Sequence, residues 1–169
     1  MAVEAALVAI GANLPRPDGT SARETCAWAV GRLCAIPGMR VVAVSSWWES
    51  APIPPDPASP PFVNGVALLH GEAAPAALLA ALHAIEDAAG RARPYPNAPR
   101  VLDLDLIDLG GRVQAGPPVL PHPRAHQRAF VLRPLAEVAP GWVHPVLGQG
   151  VAALLPGVAD QAIRRIGPA

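Results

Sequence analysis

Ala5 to Gly11 (AALVAIG) is an unbroken apolar run closed by glycine, the pattern of a strand buried in the middle of a sheet. Ser21 and Glu24 stand at capping-box spacing, and the helical periodicity from Thr25 to Ile36 ends at Pro37-Gly38. Met39 to Trp48 is β-branched and aromatic, as is Phe62 to His70 (FVNGVALLH). These two runs predict strands joined by a stiff loop carrying Pro52, Pro54, Pro55, Pro57, Pro60 and Pro61. Pro75 suits a first helical turn, Ala76 to Ala89 is rich in helix formers, and Gly90 suits a left-handed residue just past the helix end. Val101 to Leu109 (VLDLDLIDL) alternates and predicts a further strand. The order β-α-β-β-α-β is the split βαβ signature of the α+β, ferredoxin-like class: an antiparallel sheet with both helices on one face. From Gly110 the pattern weakens to a Pro-rich turn, a short helix near Val131 to Val138 and a weakly helical tail near Val151. No linker interrupts the chain, so one domain is expected over 1–169.

Composition narrows the chemistry. All 13 cationic residues of the 169 are arginine, which excludes every mechanism built on a lysine, including Schiff bases and the G-x-x-x-x-G-K-[ST] phosphate loop. Phosphate, if bound, must be held by Arg. The 13 carboxylates balance the arginines, and a neutral chain carries no electrostatic case for nucleic acid or an anionic membrane. No run reaches the ~18 uncharged apolar residues of a membrane span, and the N-terminus has no leader pattern, so a soluble, cytoplasmic protein is expected. The 22 prolines are read as shaped loops on a folded body, because 51% of the chain is apolar. Cys26 and Cys34, eight apart on one helix, lie too far apart for a disulfide and are read as small buried hydrophobes.

In Asp103-Leu104-Asp105-Leu106, period 2 sets both carboxylates on one strand face, with Asp108 read as another exposed acid. Paired carboxylates suit Mg²⁺, which takes one or two of them and completes its shell with water and phosphate oxygens. Arg91, Arg93 and Arg100 flank the pair closely in sequence, and guanidinium groups beside such a site can clamp phosphoryl oxygens. A surface network of Arg/Asp ion pairs would use the same residues. Asn13 reads as a turn residue, Asn64 as an amide in an apolar strand that needs partners, and His122, between two prolines, as a loop residue. Trp47 and Trp48 alternate sides, which places at least one in the core.

Together the segments AIGANL, SSWWESAPI, FVNGVAL, IEDAAGRAR, PRVLDLDLIDLG and LPHPRAHQRAFVLRPLAEVAP, over about residues 7 to 140, resemble the 6-hydroxymethyl-7,8-dihydropterin pyrophosphokinase family of folate biosynthesis. The resemblance implies a ferredoxin-like fold and transfer of pyrophosphate from ATP to the pterin alcohol 6-hydroxymethyl-7,8-dihydropterin. It implies two Mg²⁺ ions on Asp103 and Asp105, with Arg91 and Arg100 as catalytic arginines. Glu86, Arg93, His122 and Arg128 match positions near ATP. Ser50, Ala51, Ile53 and Asn64 match the pterin pocket, with Phe62 and Phe130, the chain's only phenylalanines, on the two faces of the pterin ring. A monomer is the expected state. Two other classes stay open on the residues alone: a Mg²⁺-dependent nucleotidyl or glycosyl transferase using the Asp-x-Asp pair, and a non-catalytic ferredoxin-like ligand-binding module.

Overall fold

The computed structural model describes residues 3–52, 54–90 and 100–169. Arg91, Arg93 and Ile53, each singled out above, lie outside the described residues. The elements follow as β1 (Glu4–Ala12), α1 (Ala22–Leu33), β2 (Met39–Val44), β3 (Trp47–Ser50), β4 (Phe62–Gly71), α2 (Pro75–Ala88), β5 (Asp103–Leu109), α3 (Ala129–Val138), a single turn α4 (Val151–Leu154) and β6 (Ile163–Gly167). The strands form one antiparallel sheet in the order β5-β1-β4-β3-β6, with β2 also paired to β4. The ferredoxin-like order predicted for the first six elements is therefore observed.

Local chemistry explains the boundaries. Ser21 caps α1 with a complete capping box to Glu24. Pro75 occupies the first turn of α2, and Gly90 takes φ +96° beyond its end. Leu78, Leu82 and Ile85 of α2 join Cys26, Ala29 and Leu33 of α1 over the face bearing Val8, Ile10, Leu104 and Leu106. The opposite face, with Leu7, Val66 and Ile107, is covered by Val131 and Leu135 of α3. Both long helices thus share one face, and α3 partly closes the other.

Four expectations change. The run from Met39 to Trp48 is two strands, because β2 and β3 meet at Ser45-Ser46, where side chains interrupt the ladder although the Ser45 N–H still donates to Val66 O at 2.9 Å. The Ser45 hydroxyl accepts the Val66 N–H at 2.9 Å and the Glu137 carboxylate accepts the Ser46 N–H at 2.6 Å. Asp108 is buried, not exposed. The β1–β5 register shifts at Ile107, so Ile107 and Asp108 both turn toward α3, and Asp108 accepts a hydrogen bond from the Trp142 indole at 3.1 Å. The tail holds a strand, β6, which pairs with β3 and whose Arg164 meets Glu49 at 3.0 Å. Cys34 is exposed at the end of α1, whereas Cys26 is buried and its thiol is pushed up to about 12 by desolvation.

Trp47, the large core residue of β3, lies across Gly65 of β4 so closely that a Cβ there would sit 2.5 Å from the nearest ring atom. Gly65→Ala is therefore expected to lose about 2 kcal/mol from overpacking, a fall in melting temperature of ~4–8 °C by calorimetry. Among the described residues no helix is long and apolar enough to cross a membrane.

Candidate active site

Strand pairing assembles a site on the α3 face of the sheet, beyond the reach of the helix. The registers align Asp103 of β5, Gly11 of β1, Asn64 of β4 and Trp48 of β3 across four neighbouring strands. Asp105 lies two residues along from Asp103, opposite Ala9. Alternation sets Asp103 and Asp105 opposite in direction to the buried Leu104 and Leu106, and Asn64 and Phe62 in step with Val66, which packs on α3. Glycine between the acid and the amide leaves that part of the floor as bare backbone. A Cβ on Gly11 would stand 3.5 Å from Asn64 Oδ1.

The carboxylate pair is electrostatically strained. Burial, then the neighbouring Asp103 charge, push the Asp105 carboxyl up to about 7, against the opposing pull of Arg128 and Arg100. Arg100 Nη1 lies 2.7 Å from Asp103 Oδ2. The two acids, Glu86 and His122 line one depression of about 240 Å³ with Leu79, His83 and Val119. Glu86 of α2 is almost fully buried, and its Oε2 accepts the Leu104 N–H at 2.9 Å, which occupies an amide on the open edge of β5 between the two acids. His122 Nδ1 accepts the Arg124 N–H at 3.1 Å. Burial, then the charge of Arg128, push His122 down to about 4, so at neutral pH the ring is uncharged and its proton sits on Nε2, a donor. Arg128, the residue before α3, has its own pKa lowered by burial, and its guanidinium carbon lies 5.3 Å from the centroid of Phe130.

On the other side of Gly11, Asn64 Nδ2 donates to Ser50 Oγ at 2.8 Å and both residues are buried. That contact fixes the amide orientation. Phe62 is half-buried at the start of β4 opposite Ser50, Phe130 is half-buried at the start of α3, and Ala51 is exposed. The residues inferred from sequence thus fall into two neighbouring groups: Arg100, Asp103, Asp105, Glu86, His122 and Arg128 around the acids, and Ser50, Phe62 and Asn64 around the amide.

Asn13 is the residue that sequence reasoning undervalued. Only 3% exposed, it donates from Nδ2 to Ser59 Oγ at 2.7 Å and Pro60 O at 3.1 Å, and accepts the Arg100 N–H on Oδ1 at 2.8 Å. Its own N–H donates to Arg100 O at 3.0 Å. One amide ties the proline-rich loop before Phe62 to the segment presenting Arg100. The sole sequence signal is an Asn directly after a buried strand; its partners, 46 and 87 residues away, have no local signature. Asn13→Ala is expected to speed hydrogen exchange of the Arg100 amide about tenfold, the value of one hydrogen bond of ~1.4 kcal/mol, with α1 and α2 protection unchanged.

Aligned paired acids strained by their own charges are suited to a divalent cation, with phosphate and water as the remaining ligands; among the described residues no group of three or more His, Cys, Asp or Glu is placed to cage a metal alone. Residues 7–140 match the family model described as 7,8-dihydro-6-hydroxymethylpterin-pyrophosphokinase (HPPK). Proteins named 2-amino-4-hydroxy-6-hydroxymethyldihydropteridine pyrophosphokinase are 42% identical over 139 residues in Pseudomonas aeruginosa, covering 82% of each chain. Those of Synechocystis and Methylorubrum extorquens are both 38% identical over 141 residues, 83% of this chain and 71% and 87% of theirs. A match over most of the chain, on a sheet that brings the matched motifs to one face, places this protein in the 7,8-dihydro-6-hydroxymethylpterin-pyrophosphokinase family.

Proposed function

We propose that this protein transfers the terminal diphosphate of ATP to the hydroxyl of 6-hydroxymethyl-7,8-dihydropterin, releasing AMP and a proton. The observation that supports it most is the cross-sheet row: a metal-suited acid pair and a buried amide reader on one face, separated by a residue with no side chain. The flat heterocycle would lie between Phe62 and Phe130, near Ala51 and Ile53, with its amide edge on the Asn64 side chain that Ser50 holds in place. Its hydroxymethyl group would then extend over Gly11 toward Asp103 and Asp105.

Asp103 and Asp105 would hold Mg²⁺, two ions in this reading, and the acids fit that role because their mutual repulsion is relieved by a cation. Bound there, the ions supply charge neutralisation on the triphosphate and a lowered hydroxyl pKa. Arg100, Arg91 and Arg93 are assigned to the phosphate oxygens, where charge grows as the bond from the β-phosphorus to the AMP oxygen breaks. Neutral His122 donates from Nε2 on the nucleotide side, and Arg128 adds a cation braced on Phe130. Glu86 serves that side by holding β5 through Leu104 N–H.

The deciding assay is product analysis with purified protein, ATP and the pterin alcohol. AMP is expected in equal amount to pterin diphosphate, only when Mg²⁺ and the alcohol are both present. Release of pyrophosphate or of a nucleoside monophosphate from a sugar nucleotide would assign the acid pair to a different transferase. Absence of Mg²⁺-dependent binding of an ATP analogue in calorimetry would leave a non-catalytic module.

A further inference from the structure

Arg128 stands between a turn and a helix, a place where the chain can swing unless its backbone groups are held. Its own N–H donates to Ala125 O at 3.3 Å, and its carbonyl accepts the Val131 and Leu132 N–H groups at 3.1 and 3.0 Å. The residues on either side are held from a distance. The Ala129 N–H belongs to the first turn of α3, among the donors that a helix leaves unmet, and the Arg128 side chain does not cap it. Gln127 O lies before the helix begins.

One side chain from the tail meets both groups. Gln161 Oε1 accepts the Ala129 N–H at 2.9 Å, and Gln161 Nε2 donates to Gln127 O at 2.8 Å. The amide thus pairs with the chain on both sides of Arg128 as a neighbouring strand would, and Arg128 between them is extended, at φ −126° and ψ 115°. A helix cap needs only the acceptor. The bond to Gln127 O lies outside α3 and adds nothing to the helix, so its effect falls on Arg128. Gln161 is itself fixed in place: its N–H donates to Val158 O at 3.1 Å, Val158 packs with Leu154 against Ala129 and Leu132, and Ile163 pairs with Ser50 in the sheet. All of this tail lies past residue 140, where the family match ends.

The half-buried Arg128 acts electrostatically on both Asp105 and His122, and its guanidinium rests on the Phe130 ring. We propose that Gln161 is a positioning residue for diphosphate transfer: by clamping the backbone on both sides of Arg128, it aims that guanidinium at the triphosphate. It acts only through Arg128. The inference rests on the assignment of Arg128 to the nucleotide side made above, whereas the clamp on the backbone does not.

The test is a double-mutant cycle on the full chain, reading the Kd of a non-hydrolysable ATP analogue with Mg²⁺ by calorimetry. Gln161→Met keeps the length of the side chain and removes both bonds. It is expected to raise that Kd, and the KM for ATP, about fivefold with kcat within about twofold. In an Arg128→Ala background the same substitution should change Kd by less than about twofold, because no guanidinium is left to aim. An unchanged Kd in Gln161→Met would overturn the proposal. So would an equal loss in both backgrounds, the result expected of a helix cap or of tail packing alone. An Arg128→Ala chain that binds the analogue as the parent does would overturn the nucleotide assignment, and the proposal with it. A further measurement needs no variant: if the clamp aids the nucleotide, bound nucleotide must tighten the clamp. In the parent, exchange of the Ala129 amide should slow about fivefold at saturating analogue, and an unaltered rate would also overturn the proposal.

Discussion

Asp105→Asn is expected to lower kcat by about 10³-fold or more while leaving the protein folded and, above pH 7, more stable. The two effects share one cause. Burial and the Asp103 charge hold the Asp105 carboxyl up to about 7, so between about pH 4 and 7 the folded state binds a proton that the unfolded chain releases. Stability therefore falls as pH rises through that window. An amide in place of the carboxylate cannot ionise. The variant should lose this pH dependence, and at pH 8 its melting temperature should exceed that of the parent. The same titration governs cation binding: below pH 7 each ion bound must displace a proton, so apparent Mg²⁺ affinity should tighten by up to about tenfold per pH unit and level off above neutrality. Calorimetry across pH 5.5–8.5 checks both. A parent protein whose Mg²⁺ affinity is flat over that range, or an asparagine variant that turns over normally, would remove Asp105 from the metal site.

Arg100→Ala is expected to reduce kcat by ~10²–10³-fold with less than about a threefold change in KM for ATP, the signature of a donor used mainly in the transition state. It should also raise affinity for Mg²⁺ alone, an opposite effect on the same site. In the structure the guanidinium lies 2.7 Å from Asp103 Oδ2, where it competes with any cation for that oxygen. Removing it takes away one competitor for that oxygen and one repelling charge. The pair is partly exposed, so folding stability should change by no more than about 1 kcal/mol. Arg100→Lys restores charge without the planar fork and should recover only a minor part of the rate. Weaker Mg²⁺ binding in Arg100→Ala would contradict the competition.

Most of the framework was legible because its signals are local. The capping box at Ser21, Pro75 at the head of α2, Gly90 past its end and the alternation at Asp103 to Leu106 each act within a few residues. What escaped depends on distant chain. Ile163-Arg-Arg-Ile does not alternate, and β6 forms because β3 offers an edge, with Arg164 on Glu49 and Arg165 on Ser46. Asp108 looks like one more acid in an alternating strand until the shift at Ile107 turns it toward Trp142. In the site, the acid pair was legible from spacing and the assignments around it from family likeness. The brace at Asn13 was not, since its meaning lies in Ser59, Pro60 and Arg100.

The glycine between Asp103 and Asn64 makes the sheet a ruler. Acid and amide sit on strands two positions apart, so their backbones are separated by twice the inter-strand repeat, about 9.6 Å, a length set by hydrogen bonds and not by any side chain. Substitutions in the surrounding loops can alter how tightly a substrate is held, but they do not rescale that interval. Under the proposed substrate placement, a molecule whose recognised edge and reacting atom are spaced differently would be bound out of step with the acids, and substrate length would follow from the β1 pairing itself.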